Sequence, residues 1–206
     1  MKETSKAVFR RLFDARFVHT YFVGLGIDIG SGGDPLSQYN QKFPLVLSVK
    51  SWDVKDGDAV YMAGIQDESY DFVHSSHCLE HLTDPYKAFQ NWIRICKPGG
   101  HIIVTVPDED LYEQGHSPSL FTTEHLTTWT IGKKKSWSPN SINLIEFFAH
   151  FVHEVEILKI ELVNHVYPYN SIIQDHTLYS LNESAIEFVV RKKTEQEKIN
   201  NGRYPG

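Results

Sequence analysis

The stretch Leu25-Gly26-Ile27-Asp28-Ile29-Gly30-Ser31-Gly32-Gly33-Asp34-Pro35 limits the fold more than any other part of the chain. A short apolar run ends abruptly in glycines, which reads as a buried strand feeding a tight turn. Such a turn lets backbone approach a ligand that a Cβ would hold away. Three ligand classes use turns of this kind. A phosphate loop needs a Lys-Ser/Thr pair after its last glycine, and Asp34-Pro35 does not supply it. A dinucleotide fingerprint fits Gly30 and Gly32 but meets Pro35 where its third glycine belongs. The acid it needs roughly 20 residues on is nearly matched by Asp53. A nucleoside without a pyrophosphate tolerates Asp34, and Asp28 at the strand's end then lies beside a cationic or amino-bearing ligand tail. A purely structural turn also remains open at this point.

The rest of the chain alternates in the same style. Leu45–Val49 and Tyr70–Ser75 are further β-type runs. Ala88, Phe89, Trp92, Ile93 and Ile95 give an apolar helix face between Asp84-Pro85 and Lys97-Pro98-Gly99-Gly100. His101–Val106 is a strand stopped at Pro107. Strands separated by helices or loops predict an α/β fold with a parallel sheet. Residues 6–20 predict an amphipathic helix, packed on the core or over a cleft, within an N-terminal segment 1–22. Residues 108–140 are polar, rich in His and Thr, and predict a substrate-side insertion. Ser141–Phe151 reads as a helix, and Val155–Leu162 and Ala185–Val190 as strands. One domain over 1–190 is expected, with a disordered polar tail over 191–206.

Composition removes several classes. The 206 residues, 41% of them apolar, suffice for one core, and a net charge of −6 argues against a broad nucleic-acid surface. Cys78 and Cys96 make no disulfide framework and lack zinc-ligand spacing. No run approaches a membrane span and no apolar leader follows Met1, so a cytoplasmic protein is expected.

Four ordered stretches resemble class I S-adenosylmethionine-dependent methyltransferases of the type 11-like group. They are the glycine turn, Asp56-Gly57-Asp58-Ala59 with Asp67–Val73, Ser75-Ser76-His77-Cys78-Leu79-Glu80-His81-Leu82-Thr83-Asp84-Pro85, and Lys97-Pro98-Gly99-Gly100-His101. The resemblance covers residues 25–107 and implies a Rossmann-like, mostly parallel sheet of the seven-stranded type with helices on both faces. It implies S-adenosylmethionine as cofactor and S-adenosylhomocysteine as product. Gly30, Ser31 and Gly32 would bring backbone against the methionine and ribose portion, Asp28 would order the turn or meet the amino group, and Ile29 and Gly33 complete the cofactor-binding set. Asp58 would accept from the adenine amino group, with the Ala59 backbone on the ring. Ser75, Ser76 and His77 would lie at a central strand tip, where open α/β sheets bind ligands. Two departures stand out. Lys50 follows Val49 where a ribose-gripping acid is expected, so that Asp53 would replace it with Trp52 stacking near adenine. Asp53 and Asp58 are also too close for the usual helix and third strand, which are expected to be shortened or missing.

An oxygen acceptor calls for a general base, and His suits the role. The candidates are His125, His77 and His81, with His116 also in the insertion. The alternatives are structural: His81 packing a helix start, His77 orienting the cofactor, Glu80 solvated and Cys78 packed. Lys133-Lys134-Lys135 is a solvated loop or a contact for a phosphate-bearing substrate. No metal constellation stands out, a minor reading at Asp108, Glu109 and Asp110 aside. The expected reaction is methyl transfer to an oxygen, less readily a nitrogen, of a small polar acceptor. The residues 121–125 and 136–139 are similar to methyltransferases encoded with surface-polysaccharide genes, which implies a sugar or glycan precursor, with Trp129 and Trp137 in the acceptor wall. The rival expectations are a non-catalytic S-adenosylmethionine-binding module, motivated by Lys50, and a nicotinamide-dependent oxidoreductase.

Overall fold

The structure is a computed structural model, and it describes residues 2–165, 167, 169–170, 175–177 and 183–205. Met1 and Gly206 lie outside them. In chain order the main elements are α1 (Glu3–Arg11), β1 (Gly24–Ile29), β2 (Val46–Trp52), β3 (Tyr70–Ser76), α2 (Pro85–Ile95) and β4 (Cys96–Pro107). There follow β5 (Thr128–Thr130), β6 (Ser141–Asn143), α3 (Leu144–Ala149), β7 (Val155–Val163), β8 (Ala185–Lys192) and α4 (Glu195–Ile199). Six strands form one sheet in the order β2-β1-β3-β4-β8-β7. The first four are parallel and β8 runs antiparallel between β4 and β7.

Side chains alternate across a strand, and that period builds two cores. Ile102, Val104 and Val106 of β4, with Ile186, Phe188 and Val190 of β8, face α2 and α3, where Phe89, Trp92, Phe147 and Phe148 are buried. Ile103 and Val189 face the other way, onto Phe17, Phe22 and Phe72. Asp84 caps α2 by accepting from the Lys87 N–H at 2.9 Å, and Pro85 opens it.

The same alternation turns three polar residues, His74, Thr105 and Glu187, toward α1. Arg11 of α1 is fully buried there. It donates to Glu187 at 2.7 Å, His74 Nε2 at 2.9 Å and Thr105 Oγ1 at 3.0 Å. His74 in turn donates from Nδ1 to Asp28 at 2.6 Å. Arg10 pairs with Glu183 and Glu187. Buried charges need partners on every side, so this network fixes α1 across the sheet.

Several expectations shift. The N-terminal helix stops at Arg11, and Phe17–Tyr21 forms a separate π-helical turn. A 3-10 helix, Leu36–Lys42, stands between β1 and β2. Residues 53–69 carry one 3-10 turn, Val54–Asp56, and no strand, so the expected gap is real and the sheet has six strands. The tail carries a short helix, α4: Thr194 and Glu197 form a reciprocal capping box, and Arg191 pairs with Glu197 and Glu156. The signal for it was the Thr-x-x-Glu spacing, since the segment lacks an apolar stripe.

Candidate cofactor and acceptor site

The tips of β1, β2 and β3 open into a cavity of about 1140 Å³, roofed in part by Glu3 and Thr4 of α1. The glycine turn forms one wall. Gly30 has φ +73°, and a Cβ there would stand 2.4 Å from the Cys78 Cβ, so glycine is required twice over. Cys78 is therefore a packing residue, and burial pushes its thiol up to about 12. The N–H groups of Gly30 and Ser31 both donate to the Trp52 carbonyl, at 2.9 and 3.2 Å. Gly32 and Gly33 line the cavity, and their N–H groups have no partner among the described residues.

Asp28, Ile29 and Ser75 do not line it. Asp28 is buried behind the turn, accepting from the Leu36 N–H at 2.7 Å as well as from His74. Its carboxylate orders the turn from behind. Ile29 points into the core, and the Ser75 hydroxyl donates to the Ile29 carbonyl at 3.0 Å. Ser76 and His77, one and two residues on, do reach the cavity.

The second wall is the end of β2. The strand runs to Trp52, three residues past Val49, so the acid that follows the strand is Asp53. Lys50 is exposed mid-strand, its Nζ 5.2 Å from the Trp52 ring centroid. Trp52, Asp53, Asp58 and Ala59 line the cavity together. A Cβ on Gly57, whose φ is +136°, would come to 3.0 Å from Trp52 Cζ2, so glycine keeps the indole face clear. Trp52 Nε1 is buried without a partner among the described residues. Asp53 Oδ1 accepts from the Val54 N–H and Asp58 Oδ1 from the Val60 N–H, which hold both carboxylates at the rim.

The far end is built from histidines and acids. His77 follows β3 with φ +50°, an uncommon conformation for a side chain this large. The N–H groups of Leu126 and Thr127 donate to the Glu80 carbonyl at 2.9 and 3.1 Å, which draws the insertion over the β3–α2 turn. The His81 and His125 rings consequently meet at 4.8 Å between centroids. His81 Nδ1 donates to the Glu124 carbonyl at 2.9 Å, and His125 Nδ1 hydrogen-bonds Glu113 at 2.7 Å. Burial, reinforced by His125 and Lys6, holds His77 down at about 3. Burial also lowers His125 and raises Glu80, and it pushes Glu113 up to about 9.

The depressed His77 has a measurable consequence. Its unfolded pKa near 6.5 lies above its folded value, so the unfolded chain binds the extra proton first. Stability from this group is full above about pH 6.5 and falls as pH drops toward 3. Urea unfolding between pH 7 and 4 should show His77→Gln losing stability less steeply than the parent. The difference in slope should approach ~1.4 kcal/mol per pH unit. Parallel slopes would contradict the assignment.

Other candidates fall outside the cavity. Trp129 is fully buried in the core, and Trp137 lies on the surface with Nε1 donating to Asp110. Glu109 accepts from Thr128, Lys133, Ser136 and Ser141, and Lys133 also pairs with Asp110. Those contacts account for Glu109, Asp110 and Lys133. His116 is not on the cavity wall. Glu3, Thr4, Glu113, Thr122 and Glu124 belong to the site or its support, and sequence reasoning missed them.

The family model described as a methyltransferase domain matches residues 8–151, most of the chain. The chain belongs to the methyltransferase domain family. Its cofactor is S-adenosylmethionine, and the turn, the clear indole face and the two rim acids fit an adenosine-bearing sulfonium. Solved structures agree on the Rossmann-like fold. An S-adenosylmethionine-dependent methyltransferase of Archaeoglobus fulgidus is 18% identical, with 93% of this chain and 95% of that chain covered and a TM-score of 0.56. The complex of the Haloferax volcanii Trm112 methyltransferase activator with a methyltransferase gives 15% identity, 93% and 90% coverage and a TM-score of 0.55. The [4+2]-cyclase SpnF gives 16%, 90% and 80% coverage and 0.55. No curated protein matches the chain in sequence. No helix among the described residues is long and apolar enough to cross a membrane.

Proposed function

We propose that this methyltransferase alkylates an oxygen of a small polar acceptor held between the β3 tip and the insertion. S-Adenosylmethionine would supply a methyl activated by its sulfonium, which passes to the acceptor oxygen as the thioether S-adenosylhomocysteine leaves. The chain's residues divide into two groups. Gly32, Gly33, Trp52, Asp53, Asp58 and Ala59 hold the cofactor, with Asp53 on the ribose and Asp58 on the adenine amino group. Ser76 and His77 bound it on the β3 side, and His81 and His125 face the acceptor. The observation that carries this reading is the His81–His125–Glu80 cluster on the same cavity as the glycine turn.

His125 is the residue we assign to the acceptor hydroxyl. Its Nδ1 is engaged by Glu113, which leaves Nε2 as the working atom. Its lowered pKa keeps the imidazole neutral at pH 7 and able to take or share a proton. A sugar or glycan-precursor hydroxyl suits a wall that offers Thr122, Glu124 and His81 as hydrogen-bonding groups. The non-catalytic module loses its motive, because Lys50 does not occupy the strand tip and Asp53 does. Incubation with methyl-labelled S-adenosylmethionine and matched panels of sugar hydroxyls and amines tests the reading. Label in a sugar methyl ether is expected; label confined to amines would contradict it.

A further inference from the structure

We propose that Glu80, His81 and His125 form a binding site for a divalent transition cation at the acceptor end of the cavity. One donor atom from each residue lies within 4.8 Å of the other two. Bound first-row cations hold neighbouring donors roughly 3–3.5 Å apart, so the rings need close by only a small movement. His81, with a third of its side chain exposed, is free to make it.

Three independent features favour a cation here. Each imidazole has its Nδ1 hydrogen-bonded to an oxygen, Glu124 O at 2.9 Å for His81 and Glu113 Oε1 at 2.7 Å for His125. That arrangement orients each ring through Nδ1 and leaves Nε2 as the ring nitrogen available to an ion, as outer partners of metal-bound histidines do. Second, Glu80 is completely buried, yet neither carboxylate oxygen accepts a hydrogen bond among the described residues. Its neighbours are the His77 ring at 3.5 Å and His81 Nε2 at 3.8 Å. A buried acid left so is costly, and a cation offsets that cost. Third, all three residues line the cavity, so an ion has both an entry path and open positions.

Two nitrogens and one oxygen suit zinc, manganese, cobalt or iron rather than calcium or magnesium, which favour all-oxygen sets. The open positions face the acceptor, whose oxygen would complete the coordination. The proposal rests on the oxygen-acceptor reading and changes the part His125 plays in it: with Nε2 on the cation, His125 serves as a ligand, and the bound cation instead of the imidazole acidifies the hydroxyl, whose proton passes to solvent. Sequence spacing hides the site, because His125 stands far along the chain from Glu80-His81.

Cobalt(II) is a suitable probe for the full-length chain after chelator treatment. Visible d–d absorption titrating to one equivalent is expected. His81→Ala and Glu80→Gln should each weaken cobalt binding by at least about 10-fold. His165→Ala, which removes an exposed histidine elsewhere, should leave it unchanged. Absence of a one-equivalent site, or binding indifferent to His81→Ala, would overturn the proposal. His81→Ala decides the matter if Glu80→Gln fails to fold. Calorimetry with S-adenosylhomocysteine on the same samples separates the two claims: nucleoside binding without cobalt binding sinks only the metal site. Cobalt binding without methyl transfer to any hydroxyl leaves the site standing and removes its proposed occupant.

Discussion

Replacing His125 by alanine should lower turnover by about 10²–10⁴-fold while leaving S-adenosylmethionine affinity nearly unchanged. The loop that carries the residue is anchored through backbone, with Leu126 and Thr127 donating to the Glu80 carbonyl, so removing the imidazole does not release it. The ring stacks on Tyr112 at 5.9 Å between centroids and is held by Glu113 at 2.7 Å. Only the side chain assigned to the acceptor is lost. The effect should fall on kcat, because the proposed cofactor contacts sit at the β1 and β2 tips. Glu113→Gln replaces the carboxyl group that orients the ring and should cost less, about 10- to 100-fold. Its acid limb in a pH–rate profile should move, which a purely structural role would not produce. Unchanged turnover in His125→Ala would take His125 out of the reaction.

Arg11→Ala should be the most destabilising single change in the chain, by ~3–5 kcal/mol. The guanidinium is fully buried and binds three groups from three strands: His74, Thr105 and Glu187. Its removal strands Glu187, which burial would push up but which Arg11 and Arg10 hold far below the usual carboxylate range. Arg10 and Lys159 still reach Glu187 and moderate the loss. Because α1 also contributes Glu3 and Thr4 to the cavity, the variant should bind the cofactor more weakly even where it remains folded. Urea unfolding at pH 7 measures the first effect and calorimetry the second. A loss under ~1 kcal/mol would mean that the network is not what holds α1 down.

The part of the fold that was legible in the sequence is the part governed by local chemistry. Glycines after an apolar run located β1 and its turn, Asp84-Pro85 located the start of α2, and the missing strand followed from the short distance between Asp53 and Asp58. The misplacements have a common cause. Ser51 and Trp52 do not extend the apolar run of β2, yet pairing with Asp28 and Ile29 carries the strand through them, and so moves the strand-end acid from position 50 to 53. Asp28 reads in sequence as ordering the turn or meeting the amino group, and its partners Leu36 and His74, which come from other segments, hold it behind the turn. Glu3 and Glu113 carry no local signal; α1 reaches the cavity only because Arg11 finds its partners across the sheet. The same holds for Glu80 beside His125, which a backbone contact between distant segments brings together.

The central claim is that the tips of β1 and β2 hold an adenosine-bearing sulfonium against Trp52. Calorimetric titration of S-adenosylhomocysteine into the parent chain and Trp52→Ala tests it most directly. One site of about micromolar affinity is expected in the parent. Loss of the indole face should weaken it by about 10- to 100-fold. No binding in the parent, or equal affinity in a folded Trp52→Ala, would contradict the account.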